Sequence, residues 1–283
     1  MILVTGANGQ LGRRIVQHLI AREPALRGRR LAVSVREPAR AGDLALRNVL
    51  VRHGDFDQPD TLPQAFADAL RLVLVPTDGP AALRLQRHGN AIRAAVAAGV
   101  GHVLYVSGLE AHMTPATPFS RVHQETEALL AESKLPHTVL RCPPYADALP
   151  GWFAPALADG TLRVPAGEGA LSLVSRDELA QAIAAAALAP RLDQRIHRLT
   201  GQAALGLGDI AARIARVCGR PLRYEAGKAA NTTEATEATA SLFAAIARGQ
   251  FAALSRDFAA LVGHPPKSLD CLIHEYFAPR SLA

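Results

Sequence analysis

Apolar positions along the chain fall into short unbroken runs separated by stretches of helical period. Met1-Ile2-Leu3-Val4 is the first such run, and Gln10 to Arg22 then carries Leu11, Ile15 and Leu19 at helical spacing. Continued along the chain, the pattern predicts strands over Ile2–Thr5, Leu31–Val35, Val49–His53, Leu72–Pro76, Val103–Ser107 and Thr138–Arg141. Helices are predicted over Gln10–Arg22, Gln58–Ala69, Ala81–Ala98 and Phe119–Ser133. Unbroken apolar strands alternating with helices imply a parallel sheet covered on both faces, whereas hairpins would show period-two alternation. Right-handed crossovers then give an α/β fold with a Rossmann-type doubly wound parallel sheet.

After Cys142-Pro143-Pro144 the pattern loosens. An amphipathic segment opens at Leu149-Pro150-Gly151-Trp152-Phe153, and a Gly-rich turn (Gly167-Glu168-Gly169) precedes a strand near Leu171–Val174. A helix from Arg176 to Leu188, a strand over Arg195–Thr200, a helix over Gly208–Val217 and a strand over Pro221–Tyr224 follow. Ala229 to Ala240 reads either as a loop or as the start of a long helix reaching Val262. The expected division is a Rossmann domain over 1–145 and a smaller α+β lobe over 146–283 that closes the substrate cleft, with some segments returning to the Rossmann sheet.

Composition narrows the class. No 18-residue apolar run occurs, and Met1 begins a strand where a signal peptide would have a basic region, so neither a membrane span nor a leader is expected. Cys142, Cys218 and Cys271 lie far apart with no Cys-x-x-Cys pair, which suits a reducing cytoplasm and argues against a structural metal. The net charge of +6 comes mostly from arginines spread singly or in pairs, such as Arg13-Arg14 and Arg29-Arg30. Without a basic stripe interleaved with aromatics, a nucleic-acid partner is not expected. An anionic small molecule uses the same positive potential.

The candidate chemistry begins at Gly6-Ala7-Asn8-Gly9-Gln10-Leu11-Gly12, where the first strand turns into the first helix. Backbone N–H groups at that helix start suit a pyrophosphate, and the Thr-Gly-x-x-Gly-x-x-Gly spacing is that of short-chain dehydrogenases. The second strand ends Ser34-Val35-Arg36-Glu37-Pro38, with Arg36 24 positions beyond Gly12 and Arg40 close behind. A guanidinium there suits the 2′-phosphate of NADP; Glu37 would instead suit the 2′-hydroxyl of NAD. The reading favours NADP(H). Arg13 opposes the helix dipole, so either a phosphate relieves it or its side chain extends into water. Asp55, with Phe56 at the end of the third strand, is open between an adenine partner and a helix N-cap. Val75-Pro76-Thr77 ends the fourth strand beside the expected pyrophosphate and ribose.

The acid–base pair usual on this scaffold is missing. Tyr-x-x-x-Lys on the helix after the fifth strand supplies a proton to a carbonyl, the lysine lowering the tyrosine's pKa. Here Phe119 takes the tyrosine's place and His123 the lysine's, and the chain has only Lys134, Lys228 and Lys267. Tyr224-x-x-x-Lys228 matches the pattern but crosses Gly227 far from that helix, and reads as chance.

Thr-Gly-Ala-x-Gly-x-Leu-Gly, Val35-Arg36, the His123–Glu127 segment with Leu129-Leu130, Thr138–Arg141, Tyr145 and Gly263-His264-Pro265 together resemble the NmrA-like atypical short-chain dehydrogenases over the full length. Within that group the likeness is greatest to NADPH-dependent quinone oxidoreductases, from which Pro143-Pro144 departs in place of an asparagine-containing turn. The resemblance implies hydride transfer from NADPH to a flat, quinone-like acceptor that needs no tuned acid, so orientation and water exclusion carry the catalysis. Ser107, His123 and Tyr145 are then the catalytic candidates, with Trp152 as a stacking surface, and the His123 helix is a possible homodimer face. His123 is open between a proton donor and a ribose-hydroxyl partner. The same group includes non-catalytic NADP(H) sensors, and a reductase of another conjugated molecule is a third reading.

Overall fold

A computed structural model describes residues 1–26, 28–112, 118–227 and 237–278, with the side chains of 28, 29, 118, 119, 237 and 238 outside the description. In chain order the elements are β1 (Ile2–Thr5), α1 (Gln10–Arg22), β2 (Gly28–Val35), α2 (Gly42–Ala45), β3 (Val49–His53), α3 (Leu62–Phe66), β4 (Arg71–Leu74), α4 (Ala81–Ala97), β5 (His102–Gly108), α5 (Pro118–Glu132) and β6 (His137–Cys142). Then follow α6 (Leu149–Asp159), β7 (Thr161–Val164), β8 (Ala170–Leu171), α7 (Arg176–Leu188), β9 (Ile196–Arg198), β10 (Leu205–Gly206), α8 (Leu207–Cys218), β11 (Arg223–Ala226), α9 (Glu237–Ala247), α10 (Asp257–Val262) and α11 (Leu269–Phe277).

Two compact units divide the described chain. The first holds Met1–Ser107, Arg121–Arg141 and Asp177–His197, so α7 lies in it although it follows residue 145. Its seven-stranded sheet runs β3-β2-β1-β4-β5-β6-β9. Each pair from β3 to β5 is parallel, with Ile2 opposite both Leu31 and Arg71. Leu3, Val4, Leu31 and Leu72 are wholly buried, as strands covered on both faces require. The Rossmann-type expectation is borne out, and the order reverses between β1 and β4, where doubly wound sheets bind their ligands.

The second unit contains Gly108–Ser120, Cys142–Arg176 and the described residues from Arg198 onward. It has two small sheets, β10–β8 antiparallel and β11–β7 parallel, around a core that includes Leu149, Phe153, Ile210, Ile214, Phe251 and Ile273.

Several strands differ at their ends, β11 running over Arg223–Ala226 and not Pro221–Tyr224, and three predicted elements differ more deeply. The helix expected over Gln58–Ala69 is a 3-10 turn at Pro59–Thr61 and a five-residue α3, because Pro59 and Pro63 each lack a ladder N–H. The strand expected over Leu171–Val174 stops at Leu171, since Ser172 N–H donates to Phe251 O at 2.9 Å and Val174 pairs with Tyr145. The long helix reaching Val262 is two helices, α9 and α10, separated around Gly249 and Phe251. The 228–236 part of that stretch lies outside the described residues.

Candidate functional site

The turn between β1 and α1 is shaped by its glycines. Gly6 sits at φ +65°, a conformation that costs a side chain but not glycine. Gly9 N–H donates to Gly6 O at 2.9 Å, and Gly9, as the N-cap of α1, offers the helix no side-chain cap. A Cβ on Gly12 would lie 2.4 Å from Gly6 O, so the helix start and the turn approach as closely as backbones allow. An uncapped helix start leaves orphan N–H groups and a positive dipole end for an anion. Neighbouring polar atoms point the same way. Asn8 Nδ2 donates to Glu37 O at 2.9 Å, while Asn8 Oδ1 and, at the end of the β4 segment, Thr77 Oγ1 are buried without a hydrogen-bond partner. Buried polar atoms rarely stay unsatisfied. Gly6, Asn8, Gly9, Gln10, Leu11 and Gly12 from the turn, with Val75, Pro76 and Thr77 from beyond β4, therefore fit a polar, phosphate-bearing cofactor. Thr5 links the two segments, its Oγ1 donating to Val73 O at 3.3 Å and accepting Val75 N–H at 2.9 Å.

At the end of β2, Arg36 is exposed and its Nη2 stands 3.8 Å from Glu37 Oε1, which also accepts from Arg40 Nη1 at 3.3 Å. Glu37 thus lies between two guanidinium groups, and its backbone carbonyl is held by Asn8. The reading in which Arg13 extends into water is corrected. Arg13 pairs with the Asp43 carboxylate and donates to Arg40 O at 3.1 Å, so a protein carboxylate offsets its clash with the helix dipole. The hydrogen bond from Arg13 holds the Asp43 carboxyl below its ordinary range. At the end of β3, Asp55 is not a helix N-cap: its Oδ1 accepts Asp57 N–H at 3.0 Å and its Oδ2 accepts from Gln58 Nε2 at 3.4 Å. Phe56 beside it is buried, its carbonyl taking Asn90 Nδ2 at 2.8 Å.

His123 lies on α5 and is 5 % exposed. Its Nδ1 is 2.8 Å from the Tyr105 hydroxyl and its Nε2 is 3.4 Å from Arg84 Nη2. Burial above all, with the Arg84 charge, pushes its pKa well below the ordinary histidine value. That shift favours the neutral imidazole over the histidinium. Tyr105 also packs edge-on against His88, with ring centroids 6.0 Å apart. His88 is fully buried and its Nε2 accepts Thr77 N–H at 3.2 Å. Its Nδ1 then carries the hydrogen and donates to Thr126 Oγ1 at 2.9 Å, which donates to Val122 O at 2.6 Å. Burial pushes the His88 pKa down to about 3, which suits an Nε2 that must stay bare to accept.

Ser107, at the end of β5, donates to Glu127 Oε1 at 2.6 Å, and Arg141 bonds Glu127 through two nitrogens. Tyr145 and Trp152 belong to the second unit. The Tyr145 ring lies 4.7 Å beneath Arg176, which bonds Asp147 at 3.1 Å, and Trp152 packs on Phe243 with centroids 5.7 Å apart. The Phe119 side chain and Lys228 lie outside the described residues. Tyr224 donates to Gly167 O at 2.9 Å inside the second unit, an ordinary structural bond for the chance motif. Among the described residues no cluster of three or more His, Cys, Asp or Glu could hold a metal, and no helix is long and apolar enough to cross a membrane.

Tyr105, His88, Arg84 and the Glu127–Arg141 pair were not singled out from the sequence. Two weak signals existed: Tyr105 shares a strand face with Ser107, and Glu127 lies one helical turn beyond His123.

A doubly wound sheet whose first βα turn is a glycine cradle at the topological switch defines a dinucleotide-binding protein. The chain belongs to the NAD(P)H-binding family, matching it over residues 6–190. It is 31 % identical over 225 residues to quinone oxidoreductase 2 of Escherichia coli, covering 80 % of this chain and 77 % of that protein. A solved structure of the E. coli NADPH-dependent quinone oxidoreductase complexed with NADPH aligns at TM-score 0.91 and 28 % identity, over 98 % of this chain and 100 % of that one. An NAD(P)H azoreductase of Xenophilus azovorans is 30 % identical over 80 % of this chain and 77 % of its own length. The NmrA-like resemblance is borne out by 31 % identity to an NmrA-like family domain-containing oxidoreductase of Aspergillus flavus, over 78 % of this chain and 73 % of that protein.

Proposed function

We propose that the chain is an NADPH-dependent oxidoreductase that reduces a quinone-like acceptor without a Tyr–Lys pair. The observation that carries this reading is His123: the helix position of the usual lysine holds a buried, neutral imidazole bonded to Tyr105. Such a residue orients neighbours but delivers no charge to a reacting carbonyl. The bound cofactor supplies a hydride from C4 of its reduced nicotinamide. The α1 start and the Gly6–Gly12 turn bind its pyrophosphate; Arg36 and Arg40 take the 2′-phosphate, with Glu37 drawn between them. Thr77, held through His88, meets the ribose side, and His123 orders that region through Tyr105. Tyr145 and Trp152 are the aromatic candidates for the acceptor.

Similarity to both a quinone oxidoreductase and an azoreductase supports a conjugated, electron-poor acceptor. Such acceptors take hydride readily and collect protons from water, so a tuned acid is unnecessary and positioning carries the rate. The test is quinone-dependent turnover with NADPH deuterated at C4. A primary isotope effect on one C4 face, with deuterium leaving the cofactor, is expected. NADP(H) binding with no turnover of any acceptor would overturn the enzyme reading in favour of a cofactor sensor.

A further inference from the structure

Ser107, Glu127 and Arg141 come from three elements, β5, α5 and β6, and meet at one point in the first unit. Ser107 is 3 % exposed, and the Glu127 and Arg141 side chains are 13 % and 8 % exposed. Ser107 Oγ lies 2.6 Å from Glu127 Oε1. Arg141 Nε reaches the same oxygen at 3.0 Å and Nη2 reaches Oε2 at 2.6 Å. A carboxylate engaged in this two-toothed way by a guanidinium carries no hydrogen and only accepts. The hydroxyl hydrogen of Ser107 is therefore committed to Glu127. What Ser107 has left for any other partner is lone pairs.

Ser107 also stands at the carboxyl end of β5, beside β4 and next to the switch point, where ligands of doubly wound sheets bind. A serine hydroxyl in this position ordinarily has a choice between donating and accepting. Here a buried ion pair removes that choice. We propose that Glu127 and Arg141 are positioning residues that fix Ser107 as a hydrogen-bond acceptor, so that it recognises an N–H or O–H donor on the ligand. Two sources carry that chemistry: the carboxamide N–H of the nicotinamide and a hydroxyl of the reduced product. The inference rests on the oxidoreductase reading and adds a direction to it. Ser107 does not donate to the carbonyl of the incoming acceptor. If the donor is on the product, the site holds the hydroxyl form better than the carbonyl form, and the enzyme is inhibited by its own product.

The experiment compares the full-length wild type, Ser107→Ala, Glu127→Gln and the double variant. Dissociation constants for NADPH and for a simple hydroquinone are measured with quinone turnover in the same series. Ser107→Ala is expected to weaken one of the two ligands by about fivefold to tenfold, the size of one neutral hydrogen bond. A loss confined to hydroquinone assigns the donor to the product, and one confined to NADPH assigns it to the carboxamide. Unchanged binding of both by a folded Ser107→Ala protein overturns the proposal. In Glu127→Gln the amide can donate to Ser107 Oγ and release the hydroxyl hydrogen, so the ligand that Ser107→Ala weakens is weakened here too: preference moves from hydroquinone toward quinone if the donor is the product, and NADPH affinity falls if it is the carboxamide. That shift is expected to vanish in the Ser107→Ala background; an equal effect in both backgrounds means a purely structural ion pair and also overturns it. Should Glu127→Gln fail to fold, the Ser107→Ala binding comparison decides alone. A wild type that binds both probes but turns over no quinone strikes the reaction assigned above, while the same binding comparison still judges Ser107.

Discussion

His123 stands where the resemblance to short-chain dehydrogenases puts a lysine. A lysine there would bring a charge that a nearby phenol could use; the imidazole is buried and bonded to Tyr105. His88 is a second buried neutral histidine, and its protonation has a predictable cost. Its folded pKa of about 3 lies below the 6.5 of an unperturbed histidine, so the unfolded chain binds the proton first. Stability from this group is complete above pH 6.5 and is lost as pH falls from there toward 3. His88→Gln, whose amide oxygen can still accept Thr77 N–H, should make the decline of Tm across that window shallower. An unchanged decline would show that His88 is not the group responsible. Arg36 makes a separate prediction. Arg36→Glu should weaken NADPH by at least about tenfold, the worth of a charge-assisted bond to phosphate, and leave NADH nearly unaffected. Equal losses for both, measured by calorimetry, would remove Arg36 from the 2′-phosphate site.

At the scale of elements, the β1–α1 turn is where sequence and structure correspond most directly. Its spacing, φ requirement and close approach are local properties, so Gly6, Gly9 and Gly12 could be read without any neighbour. Gly12→Ala would press a Cβ against the Gly6 carbonyl at 2.4 Å. Relief by overpacking of this kind costs about 1–3 kcal/mol, and both Tm and NADPH affinity should fall. Gly42→Ala, with no atom within 4 Å of the added Cβ, is the matched control and should bind NADPH as wild type does. Sequence pattern was weaker wherever elements meet. Arg13 shows a first-turn arginine without showing that Asp43 answers it from α2. The bonds from Tyr105 to His123 and from Arg141 to Glu127 depend on how β5, α5 and β6 are stacked, which no window of residues contains. Short strands of the second unit were misplaced for the same reason: Phe251 and Tyr145, distant in sequence, take the backbone bonds that would have extended β8.

For the whole molecule, the alternation of apolar runs and helical stretches sufficed for six strands of the sheet, most plainly for those buried on both faces; β9, short and partly exposed, joins them without such a mark. The assignment of Asp177–His197 to the first unit was less legible, since contact across the chain and not local pattern determines it. Cofactor chemistry followed the legible part; in the less regular second unit Tyr145 is engaged with Arg176 and Trp152 with Phe243. The measurement that tests the account most directly is cofactor oxidation by the purified protein with a panel of simple quinones, NADPH and NADH run side by side, each binding constant taken in parallel. Quinone-dependent oxidation that prefers NADPH is the predicted result. NADPH bound but not oxidised with any quinone would contradict it, and the chain would then be a sensor of its cofactor.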